Sequence, residues 1–213
     1  MFKSKALLTM LTLASASSVF AAATADLRIT GTVTPAACTP VFANGGVLDF
    51  GNIAAGSLKS TDYTSLPPRE ITYTITCNAP IAIATTWVDN RADSVGPDFV
   101  PNHDFGLGKQ GAANIGAYTM AHIGSQTSAD GSTVDLIIAN TGSSVWANNS
   151  SGNMQVMRNT MVSYAPTGTL IPGAYTTYSG ALTVPVVLNP MNTLDVTTQI
   201  DLDGLATMEV VYP

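Results

Sequence analysis

The chain is poor in charge. Asp, Glu, Lys and Arg make up 10% of its 213 residues, against about a quarter in an average soluble domain. Thr, Ser, Asn, Gly and Ala take their place, which suits an exported β protein better than a cytosolic enzyme. Histidine is scarce, at two residues. No Gly-x-Ser-x-Gly elbow, His-Glu-x-x-His pair, phosphate loop or dinucleotide-binding glycine fingerprint accompanies them, so no recognised catalytic constellation is present. After the amino terminus no apolar run is long enough to span a bilayer. No segment of useful length repeats apolar residues every three to four positions, which argues against amphipathic helices. Internal repeats are absent.

What is present begins with an export signal. Lys3 and Lys5 form a basic start, Leu7 to Leu13 an apolar core, and Ala14 to Ser18 a run of small residues. The core is too short for a membrane anchor, and Val19-Phe20-Ala21 fits a signal peptidase site. Residues 1–21 are therefore expected to be a signal peptide cleaved after Ala21, with Ala23 and Ala25 as further candidate positions. Removing it leaves six basic residues against fourteen acidic ones. So acidic a chain lacks the electrostatic footprint of a nucleic-acid binder.

Two cysteines remain, Cys38 and Cys77. An isolated pair in an exported chain is most simply a disulfide; metal binding is the poorer alternative, with no histidine nearby. The bridge would close a loop of 39 positions, contributing roughly 4 kcal/mol on the chain-entropy model.

Period-two alternation recurs along the chain, as strands with one buried face require. Leu27 to Val33 alternates Leu27, Ile29, Gly31 and Val33 against Arg28, Thr30 and Thr32. Val47 to Ile53 reads as a strand, and Ala54 to Pro68 as a loop. Glu70 to Cys77 is the cleanest strand, with Ile71, Tyr73, Ile75 and Cys77 on one face. Strands are also expected at Ile81–Val88, Ile115–Ile123, Thr133–Asn140 and Asn153–Tyr164, and at Ala174–Leu188 with a break near Pro185. Leu194–Ile200 and Leu205–Tyr212 would then form a hairpin around Asp203-Gly204. Many short strands with regularly spaced turns predict an all-β antiparallel sandwich. About 190 mature residues is large for one sandwich, so an inserted hairpin or enlarged loops are expected within 89–152.

Few side chains suggest chemistry. His103 lies in a loop and His122 in a strand, and both read as surface or edge-strand residues. Asp201-x-Asp203-Gly204 starts like a calcium loop, but Leu205 and Tyr212 stand at the fifth and twelfth positions, where ligands are needed. The acidic stretch Asp89, Asp93, Asp98 and Asp104 reads as solvated loop. Trp87 follows the Ile81/Ile83 alternation into the core. Trp146, in a polar Ser/Asn segment, is a candidate exposed contact for a ligand or a subunit.

Three segments together resemble the chaperone–usher fimbrial subunits, or pilins. Gly31-Thr-Val-Thr-Pro-Ala-Ala-Cys38 is similar to the pilin first strand. Leu48-Asp-Phe-Gly-Asn-Ile53, followed by a loop and a strand ending in Cys77, is similar to the next block with its single disulfide. Ala206-Thr-Met-Glu-Val-Val-Tyr-Pro213 is similar to the pilin carboxyl-terminal strand, with a tyrosine next to last. Residues 89–152 have no counterpart in the resemblance.

The resemblance implies an immunoglobulin-like sandwich lacking one strand, whose groove is filled first by a periplasmic chaperone and then by a neighbouring subunit's amino-terminal extension. It divides the chain into a signal peptide at 1–21, an extension with the donor strand at 22–34, and a sandwich domain at 35–213. The donor face would be Leu27, Ile29, Gly31 and Val33, and the acceptor edge Met208, Val210 and Tyr212. The expected function is a structural subunit of a surface fimbria that contributes to adhesion, without enzymatic activity or cofactor. Its expected partners are a periplasmic chaperone, an outer-membrane usher, further fimbrial subunits and a surface receptor. A self-contained β-sandwich binding protein, secreted or periplasmic, is the alternative.

Overall fold

The computed structural model describes residues 25–32, 37–148 and 152–213. The expected signal peptide and Val33 lie outside them. The chain divides into two units, Met1–Thr34 and Pro35–Pro213. In the first, residues 25–32 form no strand, and Leu27 and Ile29 are 88% and 89% exposed.

The second unit is an antiparallel β-sandwich. Its longer strands are β1 (Cys38–Phe42), β2 (Thr64–Ala82), β3 (Ala84–Asp89), β4 (Ser132–Asn140), β5 (Thr160–Pro166), β6 (Ala174–Leu188) and β7 (Ala206–Val211). One sheet runs β1–β2–β6 and the other β4–β5–β3–β7, with every pairing antiparallel. The two-residue strand Ser128–Ala129 pairs with both β4 and β6 and joins the sheets along one margin. Gly116–Tyr118 and Ala121–Ile123 extend the first sheet by pairing with β6.

Alternation builds the core. Ile71, Tyr73, Ile75 and Cys77 of β2 are buried while Glu70, Thr72, Thr74 and Thr76 are exposed. They meet Trp87 of β3, Leu136 of β4, Tyr164 of β5, Tyr178 and Leu182 of β6, and Met208 of β7. Cys38 and Cys77 sit opposite each other in the β1–β2 register and form the disulfide.

Several expectations need correction. Val47–Ile53 forms no strand: no strand lies beside it, and Gly51 adopts a left-handed φ of +66° within it. Leu194–Ile200 is likewise no strand, so Asp203-Gly204 turns no hairpin; Arg91 grips Asp203 instead. The loop assigned to 54–68 ends early, since β2 begins at Thr64. Its Pro67 and Pro68 face Pro185 at a register shift in the β2–β6 ladder. A bulge is where a strand accommodates residues that cannot donate. The strand expected over 153–164 is interrupted between Gln155 and Thr160, and that over 115–123 between Tyr118 and Ala121.

The segment 89–152 contains the expected additions: a small hairpin, Lys109–Gln110 against Ala113–Asn114, and the short strands flanking β6.

Candidate functional site

The strand path starts at β1 and ends at β7. Among the described residues β1 pairs only with β2, and β7 only with β3. These two unpaired edges approach each other along the margin opposite Ser128–Ala129. At one end the N–H of Cys38 donates to the Tyr212 hydroxyl across 3.2 Å. Farther along, the Phe42 and Trp87 rings lie 6.0 Å apart. Beyond them the margin opens into a seam.

Two cavities occupy the seam. One, of about 380 Å³, reaches inward between Phe42 and Ala206 to Trp87, Tyr118 and Leu182. The other, of about 640 Å³, continues toward Leu58 and Leu194. Leu48, Phe50 and Leu202 line both. The first lip of the seam is therefore residues 47–58, and the second is residues 194–205 leading into β7.

Both lips carry strand-like patterning without strand partners. On the first, Leu48 and Phe50 are half-buried while Val47, Asp49 and Gly51 are exposed. On the second, Leu194 is buried, and Val196, Ile200, Leu202 and Ala206 are half-buried between exposed residues. Among the described residues, no main-chain hydrogen bond joins residues 48–53 or 196–202 to another main-chain group. Neither lip is a regular strand: Gly51 has a left-handed φ, Val196–Thr197 form a turn, and the N–H groups of Gly51 and Thr197 donate to the Asp49 and Asp195 carboxylates. What remains is backbone with one apolar face and no sheet partner, which is open to strand pairing.

The second lip is held from outside by residues 89–114. Gln110 engages Asp195 as a strand would: its Nε2 donates to the Asp195 carbonyl and its Oε1 accepts from the Asp195 N–H, both at 2.8 Å. Arg91 donates from Nε and Nη2 to the two carboxylate oxygens of Asp203 at 2.8 and 2.9 Å. That hydrogen bonding holds the Asp203 carboxyl below the usual carboxylate range. The Asp203 N–H donates to the Leu107 carbonyl. Gly204 then passes so close to Tyr118 that a Cβ there would lie 2.9 Å from its ring.

The sequence-predicted residues fall as follows. Met208 and Val210 lie on β7, the first buried and the second half-buried, and Tyr212 follows at 49% exposure. Trp87 is buried as expected, with its indole N–H unpartnered at the floor of the smaller cavity. Trp146 is half-buried against Ala84, Ala139 and Met161. It serves as packing for the outer face of the second sheet rather than as an exposed contact.

His122 departs most from its surface assignment. It is fully buried, and burial pushes its pKa down to about 4. Tyr73 bridges His122 Nδ1 and the Tyr164 hydroxyl, each at 2.8 Å, and His122 Nε2 is unpartnered. Burial also raises the pKa values of both tyrosines. His103 lies apart, 3.6 Å from Asp104. Of the acidic loop, Asp89 accepts from the Arg91 and Gly106 N–H groups and from Arg158, and Asp93 pairs with Lys109. Among the described residues no group of three or more acidic, cysteine or histidine side chains is arranged to hold a metal.

Sequence reasoning missed the two lips as a pair. Their alternation was visible, but their lack of partners depends on where the rest of the chain goes. Gln110 and Arg91 carried no signal that would have tied them to the seam.

Fold and seam together define a disulfide-braced, all-β antiparallel sandwich, open along the margin where its first and last strands meet. Residues 27–101 match the model of a family described as proteins of unknown function, DUF1120. Two Escherichia coli K12 proteins are similar over nearly the whole chain. The uncharacterized protein YhcF is 28% identical over 225 residues, covering 92% of this chain and 94% of YhcF. Protein GltF is 30% identical over 222 residues, covering 88% of this chain and 87% of GltF. The chain belongs to the family of GltF.

Proposed function

We propose that the protein is a structural subunit of a surface fimbria, joined to its neighbours by donor-strand exchange and contributing to adhesion. The observation that carries this reading is the seam: two lips that belong to no sheet, flanking cavities that reach the core. A strand laid between them would gain main-chain hydrogen bonds on both sides and place alternate side chains in the two cavities. The donor is the amino-terminal extension of the next subunit, with Leu27, Ile29, Gly31 and Val33 facing inward. The acceptor edge is Met208, Val210 and Tyr212 together with the second lip.

Head-to-tail addition does not close on itself, so its product is an open filament. An unfilled seam is an aggregation hazard, which gives a periplasmic chaperone its task before an outer-membrane usher passes the subunit on. The reading includes export through the periplasm to the cell surface, other fimbrial subunits and a surface receptor as partners, and neither catalysis nor cofactor.

The test is the oligomeric state of the mature protein from the periplasm, with and without residues 22–33, by size exclusion and unboiled gels. Ladders or chaperone complexes in the intact chain, with loss of ladders on deletion, are expected. A stable monomer in both forms overturns the proposal and leaves a self-contained binding protein.

A further inference from the structure

We infer that the smaller cavity of the seam is a binding site for one uncharged, single-chain lipophile, of which a medium-chain alcohol is the simplest example. Such a ligand needs no strand addition. Where a donor strand is present, the two compete for one space.

The wall of the cavity sets the chemistry. It encloses about 380 Å³, and no Asp, Glu, Lys, Arg or His lines it. Trp87 and Tyr118 bring the only side-chain nitrogen and oxygen. The rest is aliphatic or aromatic, from Leu182, Val184 and Val186 of β6 to Leu48 and Phe50 on the first lip. The larger cavity differs, since Asp49, Asn52, Gln199 and Asp201 line it. The two spaces therefore suit different occupants. A mostly apolar space of a few hundred Å³ is the usual form of a small-molecule site. A cavity of about 150 Å³ already holds benzene, so this one has room for a longer chain.

Charge decides against ions. A carboxylate moved from water into this wall would meet no cation, and burying an unpaired charge is very costly. Arg91 and Arg158 are held by Asp203 and Asp89. Arg69 lies 5.4 Å from the centre of the Phe50 ring but does not line the cavity. One polar demand remains. Trp87 is 4% exposed, and its indole N–H has no acceptor among the described residues. A buried unpaired donor costs free energy, and a single oxygen on the ligand offers the missing acceptor. Leu205, half exposed, lines the cavity where the seam meets solvent.

The test titrates the purified full-length mature protein with hexanol, octanol, decanol and sodium octanoate, by calorimetry and by tryptophan emission. The chain has two tryptophans, so emission in Trp146→Phe reports Trp87 alone. One saturable site is expected, with a shift in Trp87 emission and affinity rising about fourfold per methylene until the chain fills the cavity. Octanoate is expected to bind about tenfold more weakly than octanol. Leu205→Arg sets a cation at the rim, at a position exposed enough to accept it. It is expected to strengthen octanoate binding about fivefold and to leave octanol binding unchanged. No saturable binding of any alcohol overturns the proposal. So does octanoate binding the unmodified protein as tightly as octanol, or a Leu205→Arg protein that binds octanol but gains nothing for octanoate. None of these outcomes touches strand addition, whose readout is the ladder of assembled subunits.

Discussion

Cys38 and Tyr212 meet across the seam, the cysteine N–H donating to the tyrosine hydroxyl at 3.2 Å. This one bond ties the first strand of the sandwich to the penultimate residue of the chain, 174 positions away. It closes one end of the seam and leaves the remainder open. Tyr212→Phe keeps the ring and removes the acceptor. It is expected to lower stability by about 1 kcal/mol, the net worth of a single hydrogen bond. The midpoint of urea unfolding measures this, and an unchanged midpoint would show that the contact is not held in solution.

The disulfide pins β1, which is bound to the sheet along one side only. Replacing Cys38 and Cys77 together by serine is expected to cost roughly 4 kcal/mol for a 39-position loop. Thermal unfolding of the wild type should shift downward under reductant, whereas the double variant should not respond to reductant at all.

His122 makes the fold sensitive to acid. Burial lowers its pKa from 6.5 to about 4, so the folded protein favours the neutral ring more strongly than the unfolded chain does. The associated stability is complete above pH 6.5, falls as the pH drops toward 4, and is gone below that. The loss amounts to about 3 kcal/mol between neutrality and pH 4. His122→Phe should abolish this part of the pH dependence, leaving Tyr73 hydrogen-bonded to Tyr164. Urea titrations at pH 7, 5 and 4 on both proteins test it, and parallel pH slopes would refute the assignment.

Gln110 substitutes for a missing strand at the start of the second lip. Gln110→Ala removes both bonds to Asp195 and the one to Thr198. Amide hydrogen exchange is expected to speed up at Asp195 by about tenfold, the equivalent of roughly 1.4 kcal/mol of local opening, with protection across β2 and β6 unchanged. Uniform loss of protection would mean that the residue supports the whole fold rather than the lip.

The sandwich was legible because alternation is a local property. Ile71, Tyr73, Ile75 and Cys77 predicted their own burial, and the ends of β6 were readable to the residue. The same signal misled wherever pairing depends on distant chain. Val47–Ile53 and Leu194–Ile200 alternate as strands do, yet face a gap. Residues 27–32 alternate as well and remain exposed and outside any strand. His122 looked ordinary because its hydrogen-bond partner Tyr73 lies 49 positions away, and Tyr164, next in the network, lies 91 positions from Tyr73. Trp146 sits in a polar stretch, and only the outer face of the second sheet explains why it is half-buried. The two mispredicted strands, Val47–Ile53 and Leu194–Ile200, both line the seam, because a strand pattern without a partner advertises one.

The seam's two lips come from opposite ends of the sandwich sequence, which orders events in time. In a chain exported as proposed, residues 47–58 would leave the translocation channel more than a hundred positions before residues 194–205. Contacts this remote in sequence form late, because a long loop must close first. Until then the first lip has no counterpart, and nothing can be gripped between the two. On the proposed reading, an exported chain would pass through most of its folding unable to capture a partner, and become receptive only when residues 194–205 arrive. In the proposed fimbrial subunit such a delay would act as a clock, protecting an incomplete chain from premature capture.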